Sequence, residues 1–448
     1  MRKNETKTSV DLLTSALSAA ILTYVWRMQD LYPILASFRL PILASACVIG
    51  LYLIDSDRRR KLVGARHPIT TAACMIMALA VLSVPTSVYQ GYSFWFIVDD
   101  LSKNFLLFVI LAASIRTLED VRRYAAVLLY GGAIYAFYVY KNVPVGIAGR
   151  LGDLVYYDAN DLGMLLVSTI PIGLFFAIRG SSTLKRLAAG VTLTLFMLVI
   201  IKTGSRGAFL GLIGMAVYMV FAFNAIRRVW RIGIVTSGLI ALLVVGGEQY
   251  WSLMSTLLNP TEDYNWSGEA ESGRMDVWRR GMGYMLQNPV TGVGVSAFPI
   301  AEGTISELAD RQEYGIGLKW SAAHNSFVQV GAELGVLGLA FFGLLLWRSY
   351  STARSVASAG NARGSPPSDE VVLGQALAGT IVGYAVTGFF LSQAYAAYAF
   401  VIYALIVGLA RASRAAPSSG EGRVRRRRPP QPILRQPTES LASLRSDV

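Results

Sequence analysis

The feature that most constrains this chain is the recurrence of apolar runs about 20 residues long, the length that crosses a bilayer core. They recur along almost all of its 448 residues without polar linkers between them. Hydrophobic residues make up 54% and charged residues only 15%, where soluble domains carry about a quarter charged. This excludes an ordinary soluble enzyme, a disordered chain and a disulfide scaffold. The runs predict an all-α polytopic membrane protein with about 12 spans. They fall near 10–27, 33–54, 69–88, 101–116, 121–142, 159–179, 185–202, 206–224, 230–248, 324–348, 370–391 and 394–411. The first follows Arg2, Lys3 and Lys7 like a signal peptide, but it lacks a small-residue cleavage site and reads as a retained helix.

The charge tests this map. Cytoplasmic loops of membrane proteins hold an excess of Lys and Arg. With the N-terminus inside, 29 of the 41 basic residues fall in inner segments, each with its own cluster. Both termini are then cytoplasmic. Twelve cations stay outside: Arg27, Arg39, Lys103, Lys141, Arg150, Lys202, Arg206, Arg274, Arg279, Arg280, Arg311 and Lys319. Orientation explains the inner majority of the 41 basic residues and leaves the outer minority unexplained.

Two segments depart from the membrane pattern. One is an outside loop, about 249–323, polar, Gly-rich and too long for a simple connector. The other is 412–448, where Pro417, Pro429, Pro430 and Pro432 surround the run Arg425 to Arg428; it reads as a disordered basic cytoplasmic tail. Beside a last span, the simple partner for such a run is anionic lipid headgroups, and no nucleic acid is expected. Residues 1–411 form the membrane domain. Two cysteines, Cys47 and Cys74, and two histidines, His67 and His324, show no metal-site spacing, so neither metal nor cofactor is expected.

The outer face carries the motifs. In Thr203-Gly204-Ser205-Arg206-Gly207, flanking glycines let backbone approach a ligand and a guanidinium suits bidentate phosphate contact, although a rim arginine also snorkels to headgroups. In Ser272-Gly273-Arg274-Met275-Asp276-Val277-Trp278-Arg279-Arg280, Arg274 and Trp278 share a helix face that Arg279 and Arg280 cannot both join. Arg274 is then a second anion-binding arginine, or the segment is a solvated amphipathic helix. Gln287-Asn288-Pro289-Val290-Thr291-Gly292-Val293-Gly294 reads as a turn that folds the loop back. The sole outer histidine opens His324-Asn325-Ser326, where Asn325 or Ser326 caps a helix. A helix N-terminus favours neutral imidazole, a candidate general base. Glu333, deeper in that span, requires a cation or hydroxyl partner. A weaker feature joins Arg150 with Asp153, Asp158, Asn160 and Asp161, where Asp158 or Asn160 caps a helix.

Together TGSRGAFLGL, SGRMDVWRRG, NPVTGVG and AHNSFVQVGAELGVLGL, with YYDANDLG before a span, resemble the O-antigen ligase and polymerase superfamily of bacterial inner membranes. The likeness runs from about Arg150 to Leu339. One departure is Ala159, where the family pattern often has proline before the Asn. The resemblance implies a GT-C-type glycosyltransferase that moves a glycan from a polyprenyl-diphosphate carrier to an acceptor hydroxyl on the outer side, without metal. It implies that Arg206 and Arg274 hold the diphosphate and that His324 activates the acceptor, a glycan, lipid or protein. Arg279, Arg280, Arg150, Asn160 and Glu333 are secondary candidates. A repeat-unit polymerase or a protein O-oligosaccharyltransferase of the same superfamily fits these motifs too. A transporter or flippase of an anionic lipid-linked solute is the reading from another class; it predicts broken helices and charges deep in several spans.

Overall fold

The computed structural model describes residues 11–146, 149–152, 154–259, 273–307, 309, 321–359 and 366–415. The expected tail from 416 onward, Asp153, Arg311 and Lys319 lie outside the described residues. The longer helices are α1 (Leu12–Tyr24), α2 (Leu40–Ile54), α3 (Pro68–Ser83), α4 (Ser102–Ser114), α5 (Leu118–Asn142), α6 (Ala159–Arg179) and α7 (Thr183–Thr203). They continue as α8 (Arg206–Ala222), α9 (Arg228–Val245), α10 (Arg274–Gln287), α11 (Ser326–Ala359), α12 (Asp369–Gly388) and α13 (Ala397–Ala415). No strand occurs among the described residues.

A helix stands in each of the twelve expected segments, but length and composition alone qualify seven of them to cross a membrane. Three further apolar helices, α1, α2 and α8, are shorter. The expected span 33–54 is interrupted: a turn of helix, Pro33–Ala36, ends before Arg39, which adopts a left-handed backbone (φ 46°) and starts α2. The last helix runs four residues past the expected boundary at 411. The long outside connection is also more ordered than a loop: besides α10 it holds helices Glu248–Ser255 and Phe298–Thr304.

Buried α6, α12 and α13 form the centre, while α9 is almost wholly exposed at the edge. Apolar side chains all round suit both positions when the solvent is lipid. Polar contacts gather at the two ends. At one end Arg60 pairs with Asp11 and Asp55, Arg116 with Asp57 at 2.9 Å, and Arg122 with Asp369 at 2.6 Å. The Arg411 guanidinium donates to the carbonyls of Ala113 (3.0 Å) and Ile115 (3.3 Å). Part of the basic excess expected inside therefore also ties helix ends together. At the other end Tyr157 donates to Val25 O (2.5 Å), Asn104 to Tyr395 O (3.1 Å) and Lys202 to Tyr140 O (3.0 Å).

One break organises this second end. Helix α11 is not a single span: Gly335 has φ 71° and ψ −170°. The turn expected after Gln287 docks there. Val293 N–H donates to Ala332 O (2.8 Å), Gly294 N–H to Glu333 O (3.2 Å), and Val336 N–H to Pro289 O (2.8 Å). The turn thus satisfies backbone groups that the break frees, which backbone at membrane depth requires. A Cβ at Gly335 would lie 2.3 Å from Pro289 O, so both the conformation and the contact demand glycine.

Candidate functional site

Three connections meet at that end to form a cavity of about 230 Å³. It is lined by Arg150, Arg206 and Arg274, by Asn160 and Thr256, and by Phe390. Each arginine arrives by a local device. Arg206 begins α8 directly after its N-cap Ser205, whose hydroxyl accepts from Ala208 N–H at 3.2 Å. Its guanidinium donates to Thr256 Oγ1 at 2.8 Å. Arg274 is the first residue of α10. Arg150 donates to Asn160 Oδ1 at 2.9 Å. Asn160 is fixed in turn by the α6 capping box, in which Asp158 accepts from the Asn160 and Asp161 amides at 2.7 Å. Asp158, not Asn160, is the cap.

Gly204 makes the convergence possible. It is left-handed (φ 57°), and a Cβ there would lie 2.8 Å from Arg150 Cγ. No carboxylate is among the described residues lining the cavity. Burial and the neighbouring Arg206 push the Arg150 guanidinium below its ordinary value, with Asp158 opposing them. Like charges gathered in a half-buried cleft are unfavourable alone and are relieved by an anion. Three guanidiniums around one cavity suit a diphosphate.

The remaining candidates divide. Arg280 points elsewhere: its guanidinium forms a buried bidentate pair with Glu302, at 2.5 Å for the closest contact, and Tyr284 donates to the same carboxylate at 2.8 Å. This pair fastens α10 to helix Phe298–Thr304. Arg279 is exposed and does not line the cavity. Glu333 is fully buried and meets no cation among the described residues; beside its carboxylate lie the Tyr395 hydroxyl, the amides of Ser296 and Phe298, and Gln329.

His324 is not on a helix. Asn325 caps α11, its Oδ1 accepting from Phe327 N–H (2.8 Å) and Val328 N–H (3.1 Å), and His324 precedes it with φ 46°. A left-handed non-glycine residue costs about 1–3 kcal/mol and persists where surroundings over-determine it. Here the determinants lie on both sides. Trp278 of α10 donates to Ala323 O at 2.9 Å. The His324 N–H donates to Ser392 Oγ at 2.9 Å, and Ser326 Oγ donates to Leu391 O at 2.7 Å. Thus His324 is pinned to the short connection 389–396, whose Phe390 and Leu391 form a wall of the arginine cavity. The Trp278 ring packs edge-on against Phe389, centroids 5.2 Å apart, so α10 positions both Arg274 and the histidine's strand of chain.

Arg150 and Asn160 are only secondary candidates in the sequence, because acids and amides near a helix start usually cap it and Ala159 departs from the family pattern; both line the cavity. The signal was present: Arg150 was among the outer cations that orientation left unexplained.

No curated protein matches the chain. Residues 189–343 match the family model described as O-antigen ligase. This stretch contains Arg206, Arg274 and His324, three of the residues that carried the resemblance, and the match supports the likeness to the O-antigen ligase superfamily over that part of the chain.

Proposed function

We propose that the protein transfers a glycan from a polyprenyl-diphosphate carrier to an acceptor hydroxyl, as an O-antigen ligase-like transferase of a bacterial inner membrane. Both termini lie in the cytoplasm and the arginine cavity faces outward. The single observation that carries this reading is the convergence of Arg150, Arg206 and Arg274 on one cavity, beside the chain that pins His324.

The carrier's lipid tail also has a place. An apolar groove of about 420 Å³ runs between α6, α7, α8 and α9, lined by Leu193, Phe209, Leu212 and Leu242 among others. Phe209 and Leu242 pack in one cluster with Leu253, which lines the arginine cavity. Cation cage and apolar groove are therefore neighbours across that cluster, the pairing that suits an amphipathic diphosphate.

In the reaction the acceptor oxygen forms a bond to the donor's anomeric carbon, and its proton passes to His324. The bond from that carbon to the diphosphate oxygen breaks, and its electron pair leaves with the diphosphate. Pre-positioned guanidiniums stabilise that developing charge. No metal-bound step is invoked. Against a transporter, the cationic side chains of the site gather at one end of the bundle.

Replacing His324 with Ala tests the assignment. With a defined polyprenyl-diphosphate glycan and the full chain in nanodiscs, transfer should fall about 10²–10⁴-fold while polyprenyl diphosphate still binds. Unchanged transfer would remove the histidine from the chemistry.

A further inference from the structure

A second, larger cavity of about 540 Å³ opens at the same end of the bundle. Its charge differs in kind from that of the arginine cavity. Arg27, Arg39 and Lys103 line it, and so do Asp30, Asp99 and Asp100. A balanced lining does not select an anion. It supplies hydrogen-bond donors and acceptors side by side, which is what hydroxyl groups, each donor and acceptor at once, require.

Three independent observations mark this cavity as more than a gap between helices. Non-glycine residues with left-handed backbone concentrate on it. Arg27 (φ 44°), Arg39 (φ 46°) and Ser296 (φ 58°) line it, and His324 (φ 46°) bonds to Ser392 of its wall. These four are all such residues among those described, and strain of this kind clusters at ligand sites. Second, a buried polar pair stands in the wall: the Tyr395 hydroxyl, on a residue 7% exposed, lies beside the buried Glu333 carboxylate, which sets a donor and an acceptor together behind the lining. Third, the two cavities share a wall. Phe390 and Leu391 face the arginine cavity, and the next two residues, Ser392 and Gln393, face the larger one. Gln393 is held by its own bond to Asp161 Oδ1 at 2.8 Å.

We propose that the larger cavity is the acceptor subsite and takes a neutral or zwitterionic saccharide, presenting one hydroxyl across the 390–393 wall to His324 and the donor. This rests on the transferase reading above. The division of substrates follows from the linings: three guanidiniums suit the diphosphate, and a lining of mixed charge suits the polyhydroxylated acceptor.

The test uses the full chain in nanodiscs. Asp99 and Asp100 are labelled with a carbodiimide and an amine, and the labelling is read by peptide mass spectrometry. The probes are polyprenyl diphosphate alone and the oligosaccharide released by mild acid from the envelope of the source cell. The oligosaccharide should protect both carboxylates and polyprenyl diphosphate should not. Protection by polyprenyl diphosphate, or by neither probe, overturns the assignment. In the kinetic arm, Asp100→Asn and Arg39→Gly should each raise the acceptor KM about tenfold, the effect of one lost charged hydrogen bond, with donor KM unchanged. Glycine adopts φ 46° without strain, so Arg39→Gly should keep or raise the thermal midpoint and remain testable if Asp100→Asn folds poorly. An acceptor KM unchanged in the folded variants overturns the proposal. Polyprenyl diphosphate binding by Arg206→Ala separates the two failures. If it persists undiminished, the transferase reading fails; if it is lost while Asp99 and Asp100 stay unprotected by the oligosaccharide, only the acceptor assignment fails.

Discussion

The two cavities lie on opposite sides of one short stretch of chain, each receives three cations, and their described linings differ in the acids that accompany those cations. The described residues that line the smaller with Arg150, Arg206 and Arg274 include no carboxylate. In the larger, Arg27, Arg39 and Lys103 are matched by Asp30, Asp99 and Asp100. Arg27 is bonded to Asp30, and Lys103 lies 3.6 Å from Asp99. The lesson is that a count of cations on one face says little about ligand class. The acids that the fold sets beside them matter as much, because a neighbouring carboxylate competes with an anionic ligand.

That contrast can be broken experimentally. Among the changes that separate the two cavities, the largest effect should come from Arg206→Ala and Arg274→Ala. Losing one pre-organised donor to a developing oxyanion costs about 10²–10³-fold in rate. Each should show that loss in donor turnover with membrane insertion and acceptor KM unchanged. Persisting turnover in both would end the clamp assignment.

A next, smaller effect should strike both cavities together. Gly335→Ala forces a left-handed residue and drives a Cβ to 2.3 Å from Pro289 O. About 1–3 kcal/mol of destabilisation follows from the conformation alone, read as a lower melting temperature in detergent. Binding to both cavities should weaken in parallel, because the docked turn carries Ser296 to one and α10 carries Arg274 to the other. Loss confined to one cavity would show that the break does not organise the end.

Gly204→Ala should be milder and selective. Its Cβ meets Arg150 Cγ at 2.8 Å, and a displaced guanidinium should weaken polyprenyl diphosphate binding about tenfold, one charged hydrogen bond's worth. Saccharide binding should not change. Equal loss of both would contradict the separation of the cavities.

Smallest is the response to salt. Screening weakens exposed charges far more than half-buried ones, so raising ionic strength from about 0.05 to 0.5 M should cost donor affinity only a few-fold. Acceptor affinity, resting on a balanced lining, should barely move. The reverse order, measured by titration in nanodiscs, would exchange the two ligands.

Much of this was legible in the residues. The apolar runs placed a helix in every expected segment, because burial in lipid demands continuous apolar sequence and internally satisfied backbone. The glycine-flanked Arg206 and the helix-starting Arg274 stood out because orientation did not explain them. Other features depended on partners far away in the chain. Arg280 looked like a third outer arginine until the fold set it against Glu302. The left-handed backbones of Arg27 and Arg39 have no sequence signature, since such residues are held by their surroundings. The interruption of α11 was obscured because AELGVLGL is apolar throughout and hydropathy does not register a break. His324 looked like part of a helix start; Asn325 took the cap and left the histidine outside it.

By itself the sequence determined an all-helical chain with apolar spans and a surplus of cations at one end. Those properties follow from composition and local spacing, and each residue contributes almost independently. Only the tertiary structure decided which cations share a cavity, which have a carboxylate nearby, and which cavity each side of the 390–393 wall faces. Those outcomes depend on distances between residues hundreds of positions apart, and electrostatic interactions change with each ångström of separation and each degree of burial.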